Sequence, residues 1–196
     1  MKIAIDIDGV LADTNPALND FYNKRHGTTL KVKDYFSHDL GKVWGCPEQE
    51  AVQIVEEFYQ SPCLLRIHPL KGSVQGINAL SKKHNLIAVT SRPEIIQMKT
   101  EEFISNYFGK KIDEIVSLTL HNFLAEKRSK YYACSSRGVD LLIEDCLETA
   151  IDCAEKGITS FLLNQPWNQL DGNYRGILPV NFIRFQNWLE IVEKLK

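Results

Sequence analysis

Residues 2–10 read Lys-Ile-Ala-Ile-Asp-Ile-Asp-Gly-Val. A short apolar, β-rich run stops there on two carboxylates and a glycine, which suits a sharp turn. Asp6 and Asp8, two residues apart, fall on the same side of an extended strand. In a buried crevice they would repel each other unless a cation or a shared proton relieved them. Burying such a pair for packing alone is costly, so this strand end reads as a functional site.

Four more runs of the same kind follow: Leu86–Ser91, Ile115–Leu120, Asp140–Asp145 and Ile158–Asn164. Helically spaced segments lie between and after them, at Ser73–His84, Glu94–Phe108, Phe123–Ser135, Leu147–Lys156 and Asn187–Leu195. Strands alternating with helices predict a parallel, five-stranded sheet with right-handed crossovers, in a three-layer α/β/α sandwich. The first connection breaks that rhythm. Two extra helices, Asn15–His26 and Pro47–Gln60, precede the crossover helix and predict a helical insertion over Thr14–Lys71. Pro69 and Gly72 punctuate its return.

In an open α/β sheet the ligand lies beyond the C-terminal ends of the strands. The second run ends in Thr90-Ser91-Arg92-Pro93. Hydroxyls followed by a turn and a helix resemble a phosphate cradle, although Ser or Thr ahead of a helix is also an ordinary N-cap. The fourth run ends in Glu144-Asp145, a second acidic pair expected beside the first strand. Acidic residues that open a helix also complement its dipole.

Taken together these motifs resemble the haloacid dehalogenase (HAD) superfamily: DIDGVLADT from Asp6, VTSRP from Val89, a lysine, then DLLIED ending at Asp145. Within it the chain is most similar to the 5′(3′)-deoxyribonucleotidase-related family. Leu163–Asn168 (LNQPWN) and Asn187–Ile191 (NWLEI) extend the resemblance toward the C-terminus. It implies a Rossmann-like core over residues 1–13 and 72–196 and a type 1 helical cap over 14–71. It implies Asp6 as the nucleophile that forms an aspartyl-phosphate, and Asp8 as acid and then base. Thr90, Ser91 and Arg92 would meet the phosphate together with a lysine. Lys130 has better spacing to Gly138-Val139-Asp140 than Lys127, and Lys99 is a poorer third candidate. Mg²⁺ is the implied cofactor, held by Asp6, the Asp8 carbonyl and Asp145, with Glu144 in support. Two departures from the nucleotidase pattern stand out. The acidic pair is Glu-Asp, and Cys146 follows it where the animal deoxyribonucleotidases carry an arginine.

The implied activity is hydrolysis of a small phosphomonoester, a nucleoside 5′- or 3′-monophosphate first. A sugar phosphate or another small metabolite is the alternative. A non-enzymatic phospho-accepting module like a response-regulator receiver fits less well: there the acceptor Asp ends the third strand, where this chain has Leu120-His121-Asn122. Phe21, Tyr35, Phe36 and Trp44 in the insertion could stack on a base or form the insertion's own core. Asp13 either caps the first insertion helix or braces the site, and Pro166-Trp167-Asn168 either lines the cleft or packs as a loop.

Composition narrows the class. The 196 residues carry 23 Lys+Arg against 25 Asp+Glu, a formal charge of −2. That near-neutral balance argues against binding a nucleic-acid polymer. At 44% hydrophobic and 24% charged the chain reads as an ordinary globular protein. Five cysteines with no CxxC pair suggest free thiols rather than a zinc site or a disulfide framework. Without a run of 18 apolar residues no membrane span is expected, and the expectation is a soluble, cytoplasmic protein.

Overall fold

The computed structural model describes residues 1–118, 129–170 and 176–196. Its strands are β1 (Lys2–Asp6), β2 (Ala12–Asp13), β3 (His68–Pro69), β4 (Asn85–Thr90), β5 (Glu114–Ser117), β6 (Leu141–Glu144), β7 (Thr159–Leu163) and β8 (Phe182–Phe185). The helices are α1 (Thr14–His26), α2 (Leu40–Trp44), α3 (Glu48–Gln60), α4 (Ser73–Leu80), α5 (Gln97–Phe108), α6 (Lys130–Ser135), α7 (Leu147–Glu155) and α8 (Trp188–Leu195).

The main sheet runs β5-β4-β1-β6-β7-β8, with every neighbouring pair parallel. It has six strands where the sequence predicts five. The extra one, β8, is an edge strand in which only Phe185 is fully buried and Arg184 interrupts the apolar run, so it carries little of the signal that marks a central strand. Central strands alternate in the expected period of two. Ile3, Ile5, Leu86, Ala88, Leu141 and Ile143 face the larger core, under α4, α5 and α8. Ala4, Ile87, Val89 and Leu142 face a smaller one filled by Ala133, Cys134 and Cys153 from α6 and α7. Two of the five cysteines thus act as small core residues.

β1 stops at Asp6, two residues before the end of its apolar-acidic run. The Ile7 carbonyl accepts the amides of Leu11 (2.9 Å) and Ala12 (2.7 Å), which forces a tight turn. Gly9 makes it possible, at φ 79°. Asp8 therefore rides on the turn rather than on the strand. The chain leaves the sheet through β2 and returns through β3, antiparallel partners that pair Ala12 with Pro69 and Asp13 with His68. The segment between them holds α1, α2 and α3. Its side chains Leu18, Phe58, Tyr59 and Leu64 join the larger core. At the far end of the chain, α8 seats Trp188 against α4, and its indole donates to the Val10 carbonyl at 2.9 Å. A Cβ on Gly76 would lie 2.3 Å from that ring, so only glycine lets the two helices approach this closely.

Thr119, Leu120 and the start of the helix expected at Phe123, with Lys127 and His121-Asn122, lie outside the described residues. Among the described residues no helix is long and apolar enough to cross a membrane.

Candidate active site

Parallel pairing of β1 with both β4 and β6 carries Asp6, Thr90 and Glu144-Asp145 to one edge of the sheet. Two charge clusters form there. In the first, Ser129 caps α6 by accepting from the Tyr132 amide, and this starts the helix so that Lys130 points back to the sheet. The Lys130 ammonium meets Asp6 Oδ1 at 2.8 Å and both Glu144 oxygens, at 3.0 and 2.8 Å. Burial works against its charge, but Asp6 and Glu144 overcome this and raise its pKa. Glu144 Oε1 also accepts the Cys146 amide (3.1 Å). Burial, with the Glu144 charge adding to it, pushes the Asp6 carboxyl up to about 7 despite Lys130. Burial and the charges of Asp6 and Glu144 raise Asp145 well above the ordinary carboxylate range.

One lysine thus faces three buried carboxylates, whose oxygens approach within 4.8 Å of one another. Asp145 Oδ2 accepts from the Trp167 indole at 2.9 Å, while Asp145 Oδ1 is buried with no hydrogen-bond partner among the described residues. An unpaired, buried carboxylate oxygen is expensive. Hard oxygen donors, surplus negative charge and this orphaned atom together fit a divalent cation, which Asp6, Glu144 and Asp145 could hold.

The second cluster centres on Asp8. Arg92 Nε donates to Oδ2 at 2.8 Å and Nη2 to Oδ1 at 2.7 Å, a two-pronged pair, and the Thr14 hydroxyl also donates to Oδ1. Burial alone would raise the Asp8 carboxyl, but the Arg92 charge and these hydrogen bonds hold it below the usual range. Arg92 Nη1 lies 3.4 Å from the Thr100 hydroxyl, and the guanidinium sits 5.8 Å from the Phe103 ring centroid. Tyr59, buried in α3, places its hydroxyl beside both Asp8 and Arg92. Thr90 is buried and accepts the Arg92 amide at 3.1 Å.

The sequence profile of the family described as 5′ nucleotidase, deoxy (pyrimidine), cytosolic type C (NT5C) matches residues 1–169. The chain belongs to this family. Over 98% of its length it is 26% identical to YqfW of Bacillus subtilis, named as a candidate nucleotidase, and covers 92% of that protein. The fold matches a haloacid dehalogenase-like protein, SP0104 of Streptococcus pneumoniae, at TM-score 0.71 and 17% identity, covering 100% of this chain and 98% of that one. It also matches a phosphatase predicted for Clostridium acetobutylicum at TM-score 0.70 and 15% identity, covering 99% and 97%. This chain is thus a hydrolase of the phosphatase type on a haloacid dehalogenase-like fold, and the receiver-like reading falls away.

The residues singled out from the sequence fall into two groups. Asp6, Asp8, Thr90, Lys130, Glu144 and Asp145 come together at the sheet edge. Arg92, expected to face the phosphate, turns its buried side chain onto Asp8. Ser91 is exposed at the same strand end, and Lys99 is exposed on α5. Asp13 stands at the start of α1 without capping it through its side chain. Of the aromatic residues, Phe21 packs edge-on to Phe58 at 5.8 Å and Trp44 stacks on Tyr22 at 4.4 Å. Tyr35 packs on Trp167, and Phe36 is 66% exposed.

Sequence reasoning missed Thr14 and Tyr59 around Asp8, and it missed Gln165 and the hold of the 165–168 turn on Asp145. Gln165 Nε2 donates to the Gly9 carbonyl (2.9 Å), and Asn168 Nδ2 to the carbonyls of Asp145 (2.7 Å) and Leu163 (2.8 Å). Only the Pro166-Trp167-Asn168 motif pointed there, and it did not separate cleft from packing.

Proposed function

We propose that this chain hydrolyses small phosphomonoesters through a phospho-aspartate on Asp6, with nucleoside monophosphates as the leading substrates. Asp6 carries the reading: a buried carboxylate on Lys130, next to an unsatisfied Asp145 oxygen and two residues before a clamped Asp8. An Asp6 oxygen attacks phosphorus, the bond to the leaving oxygen breaks, and Asp8 gives that oxygen its proton. Water then attacks the phosphorus, Asp8 takes a proton from it, and the aspartyl bond breaks to release phosphate. The ionised Asp8 is the base of that second half. The first half needs it protonated, which a phosphate drawing on Arg92 would favour by loosening the clamp. Lys130 balances charge on Asp6 and on the transferring group. Mg²⁺, held by Asp6, Asp145 and the Asp8 carbonyl with Glu144 supporting, would supply charge neutralisation for the phosphoryl oxygens.

Residues 14–71 serve as the cap that covers the site, and they already supply Thr14 and Tyr59 to it. Phe21 and Trp44 are committed to packing within this segment, which leaves Phe36 as the aromatic residue open to a base. For that reason a sugar phosphate or another small phosphorylated metabolite remains the second reading.

Para-nitrophenyl phosphate should be turned over with Mg²⁺ and not with EDTA. Asp6→Asn should lower kcat by about three orders of magnitude or more while the protein stays folded. Activity close to wild type in that variant would remove the nucleophile. A screen of (deoxy)nucleoside monophosphates against sugar phosphates then decides the substrate class.

A further inference from the structure

Around the sheet edge every carboxylate that faces the candidate metal position has an oxygen already taken by an N–H donor. Asp6 Oδ1 and both Glu144 oxygens accept from Lys130, and Asp145 Oδ2 accepts from the Trp167 indole at 2.9 Å. The lysine head sits on a flexible stem and can shift as ligands arrive. The indole cannot. Trp167 is 8% exposed, and Tyr35 lies edge-on to it with centroids 6.2 Å apart. Gly9 presses from the other side: a Cβ there would sit 2.1 Å from Asp145 Oδ2 and 3.2 Å from Trp167 Cζ2. The turn carrying the ring is tied at both ends. Gln165 holds the Gly9 carbonyl, and Asn168 holds the main chain at Asp145 and Leu163. Arg184 on β8 in turn donates to Asn168 Oδ1 and to its carbonyl, both at 2.7 Å.

We propose that Trp167 is a positioning residue that sets the cation selectivity of this site: its indole N–H occupies Asp145 Oδ2, so this carboxylate can offer only one oxygen to a metal. Resting on the metal reading above, this goes a step beyond it, from which ion is expected to why a competitor is refused. Mg²⁺ takes six ligands in a tight octahedron and suits one-oxygen carboxylates. Ca²⁺ takes up to eight at longer range and gains from carboxylates that bind through both oxygens. A donor locked on Oδ2 denies Ca²⁺ that mode at no cost to Mg²⁺, and it keeps Oδ1 aimed at the ion.

The test is metal binding to the metal-free protein, read by titration calorimetry and thermal shift with Mg²⁺ and Ca²⁺ separately. Trp167→Phe keeps the ring and removes the donor. Mg²⁺ should bind it about tenfold more weakly, the usual effect of losing an outer-sphere partner. Ca²⁺ binding should hold or strengthen, so the preference for Mg²⁺ narrows by about tenfold. Unchanged affinities, or an equal loss for both ions, overturns the proposal. If Trp167→Phe does not fold, the wild-type protein answers: the indole N–H resonance of Trp167 should move on adding Mg²⁺, well beyond those of Trp44 and Trp188. A resonance that stays still while Mg²⁺ binds overturns it equally. Should wild type bind neither ion, the metal reading itself falls. Wild-type Mg²⁺ binding with no selectivity change in the variant removes only the role of Trp167.

Discussion

Asp8 and Asp145 are both carboxylates at the C-terminal edge of one sheet, yet their surroundings are opposite. Asp8 receives a guanidinium fork and a hydroxyl, and its pKa falls below the ordinary range. Asp145 receives one indole N–H, faces Asp6 and Glu144, and keeps a buried oxygen with no partner among the described residues. A saturated carboxylate of this kind can be aimed and can exchange protons with whatever displaces a donor. A starved one is stable in water-free surroundings only if protonated or given a cation. This difference is what supports the proposal that Asp8 handles protons and Asp145 binds the metal.

Removing the fork breaks the comparison most severely. Arg92→Met leaves Asp8 with its charge and without its guanidinium fork, and should cost about 2–4 kcal/mol in urea unfolding, with the 30% exposure of Asp8 favouring the lower end. The double variant Arg92→Met/Asp8→Asn should lose less than the sum of the single changes. Strict additivity would mean that the pair contributes nothing as a pair.

The opposite change sharpens the comparison from the other side. In metal-free protein the Asp6 carboxyl is raised to about 7, and Asp145 is raised as well. Carboxyls raised on folding stabilise the protein below their ordinary pKa near 4, and that stability is lost as pH climbs through the folded value. Without metal, the unfolding midpoint should therefore fall between about pH 4 and 7, and Mg²⁺ should flatten the slope. Asp145→Asn should raise metal-free stability at pH 7 and abolish the gain from Mg²⁺. A flat metal-free profile would mean that burial and mutual repulsion do not raise these carboxyls.

How far this contrast can be read from sequence depends on the range of the contacts. Apolar runs place β1, β4 and β6, because strands buried on both faces need unbroken side-chain burial. They miss β8, where Arg184 serves the 165–168 turn rather than the core. Asp6, Asp8, Glu144 and Asp145 stand out because charges that end buried strands are locally anomalous. Arg92 is legible as a functional residue but not as the partner of Asp8, 84 positions away. Nothing beside it in the chain competes with the phosphate reading. Trp167, Asn168, Tyr59 and Thr14 likewise act through side chains that meet only once the sheet and its insertion are assembled.

Thr14 offers the gentlest perturbation. It is the first residue of α1, where the chain leaves β2 for the insertion, and its hydroxyl donates to Asp8 from outside the Arg92 fork. Thr14→Val preserves shape and β-branching and deletes that donor, so stability should drop by about 1.5 kcal/mol, the low end for a hydrogen bond to a charged acceptor, because Asp8 keeps its other partners. If the insertion moves when substrate enters, Thr14 ties that motion to Asp8, and the variant should lose more in kcat on an alkyl phosphate, whose leaving oxygen needs a proton, than on para-nitrophenyl phosphate, whose leaving group does not. Equal losses on both substrates would reduce Thr14 to a packing residue and leave Arg92 alone in control of Asp8.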